Sequence, residues 1–486
     1  MLFVYDDSGA IPPSIRQMIG ADRFGDVLSR KRHLADIVED VVLNCGTMMH
    51  FVRIGSAGER RALIERLERL PDDTPIFRLP SSLMPSDRER FSATLRKLPY
   101  ALGAAAFGAR FDDEQVALLP PADLVRLLTI EDVSERRAFF GTFGDTALQV
   151  ADVMGVTDLR QIGAFLAYMS GATEARHFNA VNIVDGVFRK SSSDVAKMRG
   201  EYRYFHVVPE PMRRFLIPTF GWEEADGRAS YAMEHLAVPD AAIQIVHDSF
   251  DPVSFALLLD RFFDFLRTRA TVRADRETVR GAARSAALEK TARRLSDLLE
   301  TDIGRRLDAL MAASGPYGGI TAMEAHARIL IERCLDTDKY EEMAVSHGDP
   351  CLSNILFNRD IGLFRLIDPR GATSMEEALL HPLYDVAKFS HSILGGYDFI
   401  NNGLFETQVD DMLQLRLMLD NGGPPDWMRA AFLARLQAEG YEPRLVRAFE
   451  LSLFLSMLPL HVDVPRKLPA FCLTACIIMR ELEDAL

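Results

Sequence analysis

Within one short stretch lie a carboxylate at Asp349, an amide at Asn354 and a further carboxylate at Asp368. From His347 to Asp368 the chain reads HGDPCLSNILFNRDIGLFRLID. Residues 355–357 and 363–367 are apolar and β-prone, and residues 358–362 are turn-like, so a short antiparallel hairpin is predicted. In a hairpin, the residue entering the first strand lies across from the residue leaving the second. Asn354 and Asp368 are therefore expected to be neighbours. An amide oxygen and a carboxylate at one hairpin end can share a hard cation such as Mg²⁺, which takes oxygen ligands. Asp349, in a loop opened by Gly348 and Pro350, brings a third oxygen group near the same spot. Loop carboxylate, loop amide and strand-end carboxylate are the parts phosphoryl transfer needs. One orients and deprotonates a hydroxyl nucleophile, and two hold the metal on nucleotide phosphates.

The order His347-Gly348-Asp349, then Asn354, then Ile367-Asp368 after a hairpin resembles the catalytic core of aminoglycoside phosphotransferases, choline kinases and their relatives. The fold of that family is similar to that of protein kinases. Three elements in order, with the strand pattern between them, argue against a chance match in a surface hairpin. The resemblance covers about residues 165–486. It implies that Asp349 is the catalytic base and that Asn354 and Asp368 are the Mg²⁺ ligands. It also implies that His347 braces the catalytic loop, and that Asp385, in Pro382-Leu383-Tyr384-Asp385-Val386-Ala387, supports it without doing chemistry.

The resemblance makes demands upstream. A lysine should end a strand and reach the nucleotide phosphates, and a glutamate on the next helix should pair with it. Lys190 ends the run 187–190, and Glu201 lies in the following helix. The plainer alternatives are an exposed strand-end charge for Lys190 and a solvent pair of Glu201 with Lys197. The run from Tyr231 to Leu236 stands where the family has its hinge, which implies adenine contacts around Glu234 and Leu236. Met233 either lines the back of that pocket or packs in the core. Phosphate cover is weakly marked, with Ser170 and Thr173 as candidates. The metal aspartate is followed by Pro369-Arg370-Gly371, where aminoglycoside kinases commonly carry an aromatic residue and an acid. Arg370 either binds an anionic substrate as a fork or pairs with Glu376 or Glu377. Cys351, inside the loop, is expected to pack. Asp368 is followed by no Ala-Pro-Glu segment, which disfavours a protein kinase.

These residues need a frame. Asp185-Gly186 between residues 179–184 and 187–191 marks one hairpin. A helix over 195–208 follows, capped by Ser193 or Asp194. A second hairpin spans 215–222 and 229–236 around Ala225-Asp226-Gly227. From about 250 the pattern is helical over 251–268, 276–312, 321–336, 376–394, 404–420, 425–438, 443–458 and 466–484, with the β interruption at 354–368. Residues 267–306 are Arg-rich, but interleaved acids and a leucine stripe favour a solvated helix face over polyanion binding.

Ahead of the resemblance, residues 1–150 alternate apolar runs (2–5, 49–52, 75–79, 116–119) with helical patterns (59–70, 86–98), which reads as an α/β sheet domain. Residues 151–169 read as a helix. Asp6 and Asp7 end the first strand, where open α/β sheets hold ligands. The favoured reading is that they only begin a turn with Ser8 and Gly9. A haloacid-dehalogenase-type phosphatase needs aspartates two apart, and a nucleotidyltransferase needs a Gly-rich loop ending in a basic residue. Neither is present.

Length and composition agree with several domains. The chain has 486 residues, 48% of them hydrophobic and 26% charged, which fits folded domains rather than disorder. The net charge of -14 disfavours nucleic acid and anionic membranes as partners while leaving room for a locally basic pocket. No stretch is long and apolar enough for a membrane span, and acids at Asp6 and Asp7 argue against a cleaved signal, so a cytoplasmic protein is expected. Five scattered cysteines fit reduced thiols.

The expected fold is an N-terminal α/β domain (1–150) plus an α+β two-lobed protein-kinase-like phosphotransferase domain. Its linker helix and small lobe cover 151–236 and its helical lobe 237–486. The expected function is ATP- and Mg²⁺-dependent phosphorylation of a hydroxyl on a small metabolite such as a sugar, amino alcohol or aminoglycoside-like compound, in sugar-conjugate or surface-polysaccharide biosynthesis. The alternative is a catalytically weak nucleotide-binding regulatory module attached to an active N-terminal domain.

Overall fold

In a computed structural model, the apolar run at the N-terminus forms the strand Leu2–Asp6, buried along its whole length. The structure describes residues 1–29, 32–100, 103–107, 114–143, 155–170, 179–184, 186–236 and 238–485. The chain divides into two compact units, residues 1–173 with 247–249, and residues 174–246 with 250–486.

In the first unit, Leu2–Asp6 pairs in parallel with His50–Ile54 on one side and Ile76–Pro80 on the other. Val116–Leu119 and Ala105–Phe107 extend the sheet antiparallel, giving a mixed sheet of five strands. Both faces are covered, because successive strand residues point to opposite sides. Phe3, Tyr5, Phe77 and Leu79 pack with Ile37 and Val38 of the helix Leu34–Leu43. Leu2, Val4 and Ile76 pack with Leu63 and Leu67 of the helix Ala57–Leu67. A continuous apolar run is what a strand buried on both faces requires.

Asp6 and Asp7 are neutralised inside this unit. Arg78 is ion-paired with Asp6 at 2.6 Å, and Ser8 donates its N–H and hydroxyl to Asp6 Oδ1 at 3.2 and 2.6 Å. Asp7 accepts from Gly25 N–H at 3.0 Å and is ion-paired with Arg53. The turn with Ser8 accounts for Asp6, and the two guanidiniums account for both charges. The helix expected over 151–169 begins later. Residues 151–154 lie outside the described residues, Val156–Asp158 is a strand paired with Leu83–Pro85, and the helix is Ile162–Ser170. Phe165 of that helix is buried in the first unit's core, so the segment read as a linker belongs there.

The second unit opens with a four-stranded antiparallel sheet, in the order Asn179–Val184, Val187–Ser192, Arg228–Glu234, Thr219–Ala225. Asp226 and Gly227 carry positive φ (51° and 71°), which a tight hairpin turn of this kind needs. The helix Val195–Val207 starts at Asp194, whose side chain accepts from Lys197 N–H at 3.0 Å. Met198 of the helix packs against Ala229 and Tyr231 of the sheet.

The rest of the unit is mainly helical: Pro252–Thr268, Arg276–Arg284, Lys290–Leu299, Asp302–Ser314, Ile320–Leu335, Tyr384–Ile393, Asp426–Ala438, Pro443–Ser456 and Lys467–Ala485. Three expectations change. The long helix over 276–312 passes through a π turn at Ser285–Glu289 and breaks before Thr301, which caps a new helix by accepting from Gly304 N–H at 3.0 Å. Of 376–394 only Tyr384–Ile393 is α-helical, preceded by a short 3₁₀ turn, the strand Leu379–Leu380 and Pro382. The segment 404–420 is not a helix. Phe405–Val409 and Leu415–Leu419 form a hairpin, closed by Asp410, whose Oδ1 accepts from Met412 and Gln414 N–H at 2.9 Å. That aspartate gives the backbone a turn to compete with the helix. The predicted hairpin is present as Ile355–Asn358 and Leu363–Leu366, but it is not alone. Thr271–Arg273, Glu342–Val345 and Leu379–Leu380 form a further small sheet. Among the described residues, no helix is long and apolar enough to cross a membrane.

Candidate active site

Strand and helix of the sheet region place Lys190 and Glu201 face to face. Lys190 sits on Val187–Ser192 opposite Tyr231, and its Nζ donates to Glu201 Oε2 at 2.7 Å. Both side chains are buried. Tyr231 donates its hydroxyl to the same Glu201 oxygen at 3.0 Å. The pair with Lys197 also forms, at 3.6 Å from Glu201 Oε1, so one carboxylate holds two lysines. Lys190 reaches further, to Asp368 Oδ1 at 3.0 Å. Burial acts to lower the Lys190 ammonium, but Asp368 and Glu201 outweigh it and hold it above the ordinary lysine range.

The loop from His347 to Asn354 is held from beneath by Asp385. This buried carboxylate accepts the backbone N–H groups of His347 and Gly348 at 3.0 and 2.8 Å. Arg269 steadies it at 3.3 Å, and His347 is fully buried. Gly348 has φ +81°, and a Cβ there would come within 2.6 Å of Arg370 Cβ, so only glycine fits this turn. Asn354 donates Nδ2–H to Asp349 O at 2.9 Å, which leaves its amide oxygen as the atom able to meet a cation.

Asn354 lies across from Ile367, whose N–H donates to Asn354 O at 3.0 Å. Asp368 follows directly, with φ 52°, a conformation uncommon for a non-glycine residue. Such strain is tolerated where the surroundings over-determine it. The strands are anchored in turn: Leu366 N–H donates to Phe215 O at 2.7 Å and Gln244 donates to Phe357 O at 2.7 Å. Among the described residues, no group of three or more His, Cys, Asp or Glu side chains is arranged as a metal cage. One amide oxygen and one half-exposed carboxylate suit Mg²⁺, which keeps waters and phosphates in its shell.

Asp349 is partly exposed and ion-paired with Lys388 through Oδ1 at 2.9 Å. Burial raises its carboxyl, but Lys388, then His391 and His347, over-compensate and hold it below the usual range. Lys388 comes from the helix Tyr384–Ile393, one turn beyond Asp385. Nothing in the motif announced it. Arg269 was missed in the same way, since its partner Asp385 is 116 residues away in sequence.

The remaining candidates fall as follows. Glu234 is exposed at the end of its strand, and Leu236 O accepts from Val238 N–H at 2.8 Å. Met233 is buried and lines a small cavity with Glu201, Tyr231, Leu366 and Asp368. Cys351 is buried with its thiol pushed well up by that burial. Arg370 is exposed and donates its N–H to His347 O at 2.9 Å. Its pairing with Glu376 or Glu377 does not occur among the described contacts, and Glu377 instead accepts from the Thr373 N–H and hydroxyl at 2.7 and 2.8 Å. Thr173 and the side chain of Ser170 lie outside the described residues.

No protein-family model and no curated protein matches the chain. Among solved structures it is similar to an apo thermostable mutant of aminoglycoside phosphotransferase APH(4)-Ia, at 12% identity and TM-score 0.39, over 65% of this chain and 98% of that one. It is similar to a complex of that enzyme with AMP-PNP and hygromycin B at 11% identity and TM-score 0.40, over 63% and 92%. It is also similar to an aminoglycoside-3'-phosphotransferase of type VIII at 14% identity and TM-score 0.32, over 62% and 97%. At these scores the likeness carries no argument, and the functional reading rests on the site.

Proposed function

We propose that the second unit is a two-lobed, kinase-like phosphotransferase that moves a phosphoryl group from ATP to a hydroxyl of a small metabolite. The observation that carries this reading is the placement of Lys190 Nζ between Glu201 and Asp368, at 2.7 and 3.0 Å. It joins a strand lysine, a helix carboxylate and a motif aspartate 178 residues away at one point. A buried lysine fixed by two carboxylates is a pre-oriented cation for phosphate oxygens, and phosphoryl transfer depends on positioning and charge more than on covalent chemistry.

Each residue then has a task. Lys190 binds and orients the nucleotide phosphates, with Glu201 and Tyr231 setting its direction. Asp368 and the amide oxygen of Asn354 are the groups that would hold Mg²⁺, which would supply positive charge to the phosphates. Asp349 accepts a hydrogen bond from the acceptor hydroxyl and takes its proton. Asp385 and His347 keep the loop in shape. The strand end at Glu234 and Leu236 offers backbone groups to adenine.

ATP and Mg²⁺ turnover with candidate sugars and amino alcohols tests this, with Asp349→Asn as control. Transfer that survives Asp349→Asn unchanged, or a fold not stabilised by AMP-PNP, sinks the reading.

A further inference from the structure

We propose that the acceptor is itself an anion: a small hydroxyl compound whose carboxylate or phosphate oxygens are held by Lys290, Arg294 and Arg370 beside Asp349. This rests on the reading of Asp349 as the group that meets the acceptor hydroxyl, and it narrows the acceptor class.

The geometry comes from three elements. Arg370 stands against the catalytic loop, with its backbone bonded to His347 O at 2.9 Å and its stem against Gly348. Lys388 meets Asp349 at 2.9 Å. Lys290 and Arg294 lie one turn apart on the helix Lys290–Leu299, hence on one face. That helix is fastened to Pro443–Ser456, with Thr291 donating to Ser452 O at 3.4 Å and Arg294 to Ser456 O at 3.0 Å. Pro443–Ser456 is fastened in turn to the helix of Lys388, where Ser390 donates to Glu450 at 2.6 Å.

Charge completes the case. In the same Arg-rich stretch Arg276 is paired with Glu341, Arg284 with Glu332 and Arg305 with Asp302, whereas Arg273, Arg293 and Arg306 are exposed to solvent. Among the described residues, Lys290, Arg294 and Arg370 have no acid within ion-pair reach, in a chain whose net charge is -14. Burial, and then the charges of Arg294, Arg370 and Lys388, push the Lys290 ammonium down to about 7, while Asp349 opposes them. The cations therefore share one field. Unpaired like charges raise the energy of a site until a counter-charge arrives. An oxyanion relieves that repulsion and gains the guanidinium fork. A polycationic acceptor would add to it.

The test uses full-length protein saturated with AMP-PNP and Mg²⁺, so that the nucleotide's own phosphate site is filled. Inorganic phosphate and malonate are titrated separately by calorimetry. At least one should bind, and Lys290→Gln and Arg370→Gln should each weaken it about five-fold or more, with AMP-PNP affinity within about two-fold of the parent. The arm that binds tells phosphate from carboxylate. Melting curves establish that both variants are folded. No binding of either anion, or binding unchanged in both variants, overturns the inference and leaves the phosphotransferase reading standing. Failure of AMP-PNP to bind overturns both.

Discussion

Lys388 Nζ and Asp349 Oδ1 lie 2.9 Å apart, so the candidate base of the loop is held by a cation from a helix whose first turn carries Asp385, the loop's own support. One helix thus sets both the shape of the loop and the charge state of its carboxylate.

This pairing predicts a pH effect. Burial alone would raise the Asp349 carboxyl, and Lys388 is the largest influence that lowers it. Removing the cation in Lys388→Met lets the carboxyl rise, so the acid limb of kcat/KM moves to higher pH. Asp349→Asn removes the base and should lower kcat by about 10²–10⁴-fold. A pH–rate profile of Lys388→Met superimposing on the parent would count against the pairing as a control on the base.

Lys190 predicts a joint effect on nucleotide binding and stability. In Lys190→Met, Glu201 stays buried with Lys197, at 3.6 Å, as its remaining cation and the Tyr231 hydroxyl as a donor at 3.0 Å. Breaking a buried pair from one side costs about 3–5 kcal/mol, and Lys197 should keep the loss near the lower figure. KM for ATP should rise about ten-fold or more. Denaturant unfolding and steady-state kinetics on one preparation check both, and Lys190→Met/Glu201→Gln should recover stability but not KM.

In the first unit, Arg78 is buried against Asp6 at 2.6 Å and Glu114 at 2.9 Å. Arg78→Met leaves the buried Asp6 carboxylate without its cation, and a loss of about 3–5 kcal/mol is expected. The double variant with Asp6→Asn should be more stable than Arg78→Met alone. Thermal melting of the three proteins decides whether these carboxylates are structural.

Asp398, fully buried, is pushed up to about 7 by that burial, with Ser392 partly opposing. Between pH 4 and pH 7 the unfolded chain loses this proton while the folded chain keeps it. Its contribution therefore makes stability fall as pH rises through that window, and the penalty is complete above it. Asp398→Asn carries no such proton. Its melting temperature should exceed the parent's at pH 8, and the difference should shrink toward pH 5. An equal difference at both values would rule this out.

Much of the frame was legible because it is encoded locally. Alternation of residues marks strands, Asp-Gly marks a tight turn, and Asp194 ahead of its helix marks a cap. These signals involve residues within a few positions of each other. The motif from His347 to Asp368 was readable for the same reason, since a hairpin brings its ends together by itself. The segment 404–420 was misread because its apolar spacing suits either period. Asp410 decided the matter by supplying a turn, and pairing across the hairpin did the rest.

The chain's sequence alone determined which residues can do chemistry and which short elements carry them. Only the tertiary structure decided what those residues meet. Lys190 finds Asp368 across 178 positions, Lys388 reaches the loop residue Asp349 from a helix, and Arg269 finds Asp385 across 116 positions. The physical reason is that charge acts through space. A carboxylate's protonation, a lysine's direction and the sign of a pocket depend on which helices pack together, and no local spacing records that.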